Sequence, residues 1–169
     1  MTLLAMTVPV YLFAVAGTSP LTESDKERFR VLVAEALASE DANQKQYDDV
    51  IMRLDADPCR NVDVLVSKEE ERELENALSE SFSLASVDVF STFQFGSWFV
   101  IYSDISPGDP TYGFFPSDPR QGGEPIKFWA GGDAFYAVGD IAEWTIANVP
   151  GVPEELAECF AWSLTMGSE

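Results

Sequence analysis

The chain contains no histidine. That absence removes at once the commonest general base, the usual partner of a nucleophilic Ser or Cys, and the commonest neutral metal ligand. Cysteine is nearly absent too. Cys59 and Cys159 stand far apart and form neither a CxxC redox pair nor a zinc spacing. The simplest expectation is two buried, small apolar thiols, with one long-range disulfide as the alternative. Positive charge is scarce: 10 Lys and Arg face 29 Asp and Glu, a formal net charge of -19 and a pI near 4.1. After Ser83 only Arg120 and Lys127 are basic, so the acidity belongs to the whole chain and not to a tail. Such a field repels nucleic-acid phosphates and anionic membranes, and it speeds encounter with a basic partner. Adaptation to high salt explains the same composition without a partner.

Several motifs are also missing. There is no GxxxxGK phosphate loop, and Gly131-Gly132-Asp133 puts an acid where phosphate would sit. No D-x-[DN]-x-[DN]-G run marks a calcium loop. Direct nucleic-acid binding is not expected, since Arg28, Arg30, Arg53 and Arg60 are single cations in an acidic field. No cofactor or metal is implied, and the chain does not read as an enzyme.

What remains is ample for folding. The chain has 169 residues, 46% of them hydrophobic, with 12 Phe, 5 Tyr and 4 Trp, which suits one domain with a real core. Residues 1–169 read as a single α+β domain. Its centre is the stretch Val87 to Asp104, VDVFSTFQFGSWFVIYSD, where strand-forming side chains flank a break at Gly96-Ser97. A hairpin is expected. Val87, Val89, Phe93 and Phe95 should share one face, with Asp88, Thr92 and Gln94 on the other and Phe90 as the exception. The second strand is apolar on both sides, from Trp98 to Tyr102, and reads as interior.

The first 17 residues are apolar and uncharged. No Lys or Arg precedes the run and Pro9 interrupts it, so it reads as a buried strand, about Thr7 to Ala14, in a cytoplasmic protein. An exported chain is the alternative, with the run as a signal. A helix follows, capped by Thr22 or Ser24 with Asp25 and Glu27 three residues beyond, and with Phe29, Leu32, Val33, Ala36 and Leu37 facing inward. A second helix spans about Asn43 to Leu54. Asn61 to Val66 reads as a short strand, and Ser67 with Glu70 starts a third helix, KEEERELENALSESF.

Beyond the hairpin, short aromatic strands are expected at Tyr112 to Phe115, Ile126 to Trp129 and Ala134 to Val138, the last two joined by a glycine turn. Asp140 should cap a helix to Ala147, and Pro153 should start the final one. The result is an antiparallel sheet of about five to six short strands, built on the 87–104 hairpin and packed against N-terminal and C-terminal helices.

Two kinds of surface residue attract a functional reading. Glu69, Glu70 and Glu73 lie on an acidic helix, while Asp104, Asp109, Asp118 and Asp133 are set among Gly and Pro in loops. Tyr112 and Trp129 lie in the aromatic strands, and aromatics carry much of the energy of protein interfaces. Together these nine residues form the expected partner-binding set. A carboxylate pair for hydrolysis, Asp104 with Asp133 or Glu124 in a cleft lined by Trp98, Tyr112 and Trp129, is the enzymatic alternative.

The section from Ile126 to Ala147, strand, glycine turn, strand and short acidic helix, resembles the end of a family of α+β immunity domains that bind and neutralise toxins. The resemblance covers about a fifth of the chain, implies an inhibitory role and carries over no residue assignments. The functional expectation is therefore an acidic, stoichiometric inhibitor that occludes the basic surface of a toxin, nuclease or other nucleic-acid-processing enzyme. A homo-oligomer is compatible with it.

Overall fold

The computed structural model describes residues 22–64, 67–105, 110–131 and 134–166. The strand expected at Thr7 to Ala14 lies outside them. Among the described residues five helices flank one five-stranded sheet: α1 (Glu23–Ala38), α2 (Gln44–Ala56), β1 (Asp63–Val64), α3 (Lys68–Phe82), β2 (Val89–Phe95), β3 (Trp98–Ser103), β4 (Thr111–Phe115), β5 (Lys127–Ala130), α4 (Val138–Asn148) and α5 (Glu154–Met166). The sheet order is β1-β2-β3-β4-β5, with every neighbouring pair antiparallel. This is the expected α+β class.

Local chemistry explains where the first helices begin. The Thr22 hydroxyl accepts the Asp25 N–H at 3.2 Å, while the Asp25 carboxylate accepts the Thr22 N–H at 3.0 Å. Two of the helix's orphan donors are thereby satisfied reciprocally. Asn43 and Gln46 repeat the arrangement ahead of α2, with both bonds at 3.0 Å. Ser67 accepts from the Glu70 N–H and donates to the Glu70 carboxylate, opening α3. Asp57 and Ser83, in the left-handed conformation, terminate α2 and α3.

The sheet is covered on both faces. On one, α1, α2, α4 and α5 bury Val33, Val50, Leu54, Ile141, Leu156 and Phe160 against Phe93, Val100 and Phe114. On the other, α3 lays Leu74 and Leu78 over Phe99, Ile101 and Phe115. The interior strand β3 thus feeds alternate side chains to two cores, as its two-sided apolar pattern requires.

One face assignment is corrected. Val87 and Val89 belong to the α3 core while Phe93 belongs to the other, so they do not share a face. The cause is a register shift between Val89, paired with Ser103, and Ser91, paired with Tyr102. Phe90 is the extra residue of a bulge, which inverts the alternation on either side of it. It remains 49% exposed, its ring 5.3 Å from that of Tyr102.

Ala134 to Val138 is not a strand. Phe135–Ala137 forms a 3-10 turn running directly into α4, with Ala137 and Val138 buried in the helical core. Asp140 consequently lies inside the first turn of α4 and does not cap it. It instead accepts from Lys45 at 3.2 Å and from Gln46 at 3.1 Å, tying α4 to α2. Leu32 is likewise 36% exposed, so the inward face of α1 is narrower than its pattern implies.

The helical layer is joined by charge and by a covalent bond. Arg53, 6% exposed, donates through Nε and Nη2 to the two Glu158 oxygens, the second at 2.8 Å, and through Nη1 to the Asp49 carbonyl at 3.2 Å. Lys45 lies 3.3 Å from Asp49, 3.2 Å from Asp140 and 3.0 Å from Glu143. The Glu143 carboxylate, then that of Asp140, raises its pKa above the ordinary lysine value. Cys59 and Cys159 are disulfide-bonded, which corrects the expectation of two separate thiols. Docking α2 on α5 carries the loop after α2 onto the helix that holds Cys159, a proximity no local spacing encodes.

Gly139 makes the α2–α4 contact close. A Cβ there would stand 2.1 Å from Asp49 Oδ2, an oxygen that takes no hydrogen bond among the described residues and relies on the charge of Lys45. Gly139→Ala is expected to displace the Asp49 carboxylate and destabilise the fold by about 1–3 kcal/mol. A shift in the urea midpoint measures it, and Asp49→Ala in the same background should recover most of the loss.

Candidate functional site

Glu69, Glu70, Glu73 and Asp118 gather at α3. Glu73 Oε2 lies 3.5 Å from Arg120 Nη1. Arg120 is gripped by Asp118, which accepts from Nη2 at 2.7 Å and from Nε at 2.9 Å. Asp118 also accepts the Arg120 N–H at 2.9 Å, forming the turn at Pro119–Gln121 that packs beside α3. The guanidinium lies over the Phe99 ring at 5.7 Å. Hydrogen bonding to Arg120 holds the Asp118 carboxyl below the usual carboxylate range, and the same contact raises Arg120. Glu70, which also acts electrostatically on Arg120, is engaged in the Ser67 cap.

Glu69 and Glu71 point to solvent. Among the described residues Arg120 is the one cation paired with an α3 acid, so the outer side of this helix keeps its negative charge. Asp104 plays a different part: its carboxylate accepts the Asp88 N–H at 2.6 Å and closes the open end of the β2–β3 hairpin. Asp109 and Asp133 lie outside the described residues.

The aromatic candidates lie on the other face of the sheet. Tyr102, Tyr112 and Trp129 are register partners in one row across β3, β4 and β5. The Tyr102 and Tyr112 rings stack at 4.4 Å, and Phe160 meets the edge of Tyr112 at 5.1 Å. Trp129 packs against Trp144 at 4.5 Å. This row is half-buried wall between sheet and helices, so Tyr112 and Trp129 do not join the acids of α3. The exposed aromatic of β5 is Phe128, at 42%, with Ile126 before it at 46%. Their exposure follows from strand alternation once Trp129 is placed inward.

Burial, and secondarily the charge on Tyr102, pushes the Tyr112 phenol up to about 12. Folding therefore favours the protonated form. The contribution is complete below the free phenol's pKa near 10 and is lost as pH rises toward 12, an expected loss of about 2–3 kcal/mol at the alkaline limit. Tyr112→Phe should flatten that slope, measurable as the urea midpoint against pH.

Asp104 and Glu124 do not meet, and Asp133, the other carboxylate considered with Asp104, lies outside the described residues. Asp104 follows β3 at the end where Ser103 faces Thr111, whereas Glu124 precedes β5 at the opposite end, where Lys127 faces Phe114. Trp98 starts β3 and is likewise remote along the strands from the Tyr112 row. Among the described residues no three metal-ligating side chains cluster, and no helix is long and apolar enough to cross a membrane. An open cleft of about 260 Å³ lies between Asp57, Pro58 and Arg60 and the acids Glu154, Glu155 and Glu158. No protein-family model matches the chain, and no curated protein or solved structure matches it either.

Proposed function

We propose that this protein acts stoichiometrically, by binding the basic surface of another protein such as a toxin or a nucleic-acid-processing enzyme. The observation that carries the reading is the surplus of negative charge on α3, where Glu69 and Glu71 are exposed and Glu73 shares Arg120 with Asp118, in a chain of net charge -19. Carboxylates presented on a rigid helix satisfy a partner's Lys and Arg side chains and thereby cover them, while the general field raises the encounter rate. No rearrangement is needed, since the helix is already fixed by its cap and by Leu74 and Leu78 beneath it.

The Cys59–Cys159 bridge favours the exported alternative over a cytoplasmic location, because cytosolic thiols are kept reduced. The test is affinity capture from the source cells at low and moderate salt, with the unaltered protein beside Glu69→Lys/Glu71→Lys/Glu73→Lys. The expected result is a basic protein retained at low salt, released as salt rises, and lost with the triple variant. Salt-independent absence of any basic partner would sink the reading.

A further inference from the structure

We propose that the free edge of β5 is a strand-addition site for an extended, basic segment of the partner, a deepening that rests on the reading above. β5 bonds β4 on one side, and no strand borders its other side among the described residues. A strand edge of this kind presents unpaired N–H and C=O groups to any chain able to align with them.

The two edges of the sheet differ. β1 is two residues long and offers little to pair with. β5 carries Phe128 with Ile126 just before it, both exposed, and Phe128 meets Phe82 of α3 edge-on at 6.4 Å. Edge strands are commonly guarded by an outward lysine. Lys127 does not serve here, because its ammonium is drawn over the Trp144 ring at 5.7 Å. An apolar shelf therefore runs beside an unguarded edge.

Charge identifies the occupant. Glu124, two residues before Ile126, is exposed, and after Ser83 the chain carries 12 Asp and Glu against Arg120 and Lys127 alone. A second copy of the chain would bring another charge of -19 against these acids. A segment alternating apolar with Lys or Arg side chains matches both features, placing its apolar face on Phe128 and Ile126 and bringing positive charge to an acidic surface. The backbone bonds supply affinity independent of side-chain identity, and the charges select the partner.

The test uses the full chain and three capped peptides: alternating Lys and Val, the same sequence with alternate backbone amides N-methylated, and alternating Glu and Val. Binding is followed by fluorescence anisotropy at low salt, and amide exchange of β5 is read in parallel. The expected result is binding of the Lys-Val peptide, with about tenfold or greater loss on N-methylation and on Phe128→Ser, together with new protection in β5. Equal, salt-sensitive binding of the N-methylated peptide would overturn strand addition and leave the basic-partner reading standing. Failure of both cationic peptides, or equal binding of the Glu-Val peptide, would overturn the two together. Protection in the free protein of those β5 amides that do not bond β4 would overturn the site, assigning the edge to the chain's own apolar N-terminal run or, if protection rises with protein concentration, to a second copy.

Discussion

Reduction of the Cys59–Cys159 bond is expected to lower stability by about 5 kcal/mol, the largest effect of any single chemical change to this protein. The bond spans a sequence separation of 100 residues, and cutting a loop of that length restores a large conformational entropy to the unfolded chain. Since small domains are stable by only about 5–15 kcal/mol, the reduced protein should unfold at much lower urea concentration. The variant Cys59→Ala/Cys159→Ala should behave like the reduced protein. Alanine suits the wholly buried position of Cys159 between Ala157 and Ala161, where a serine would add an unpaired hydroxyl. Urea denaturation with and without reductant measures the change. Equal midpoints, with both thiols reactive in the untreated protein, would remove the bridge from the account of stability.

Arg53→Met is expected to cost about 3 kcal/mol. The guanidinium is nearly inaccessible and neutralises Glu158 on α5, while its Nη1 also lies 3.6 Å from the Asp49 carboxylate. Removing it leaves Glu158 without its counter-charge and Asp49 with Lys45 alone, and breaking a buried pair one partner at a time is costlier than replacing both. The double variant Arg53→Met/Glu158→Met should therefore be more stable than Arg53→Met alone. Chemical denaturation of the two variants decides it: a double variant as unstable as the single would mean that the arginine acts through its aliphatic stem and not through charge.

These two contacts differ from most of the fold in how they could be foreseen. The hairpin about Gly96, the acidic helix after Ser67 and the first helix after Thr22 were legible because each depends on residues within a few positions of one another. Glycine supplies the left-handed turn, and the capping side chains reach the third residue on. Ala134 to Val138 is a short apolar run, compatible with either period. What decided it was burial of Ala137 and Val138 against the helical layer, which lies far away in sequence.

The candidate site divides in the same way. That α3 is acidic and solvated on one side is a matter of its own sequence, and so is the aromatic character of β4 and β5. Their placement on opposite faces of one sheet is not, because it depends on register. The bulge at Phe90 inverts the alternation of β2, and the β3–β4–β5 pairing then sets Tyr112 and Trp129 against Phe160 and Trp144 while Phe128 turns toward α3. Arg120 is the clearest case: one of two cations in an acidic half of the chain becomes the counter-charge of Asp118 and Glu73 through the turn that carries it beside α3.

The sequence by itself determined the class of the domain, the starts of its first three helices, the central hairpin and the surplus of negative charge. Each of these follows from composition or from chemistry within about one turn of helix or hairpin. Only the tertiary structure decided that the cysteines pair, that Arg53 reaches from α2 to Glu158 of α5, that acids and aromatics part to opposite faces, and that β5 has, among the described residues, a strand on one side alone. All four depend on groups far apart along the chain, whose meeting is set by how the helices and strands pack and not by any residue's neighbours.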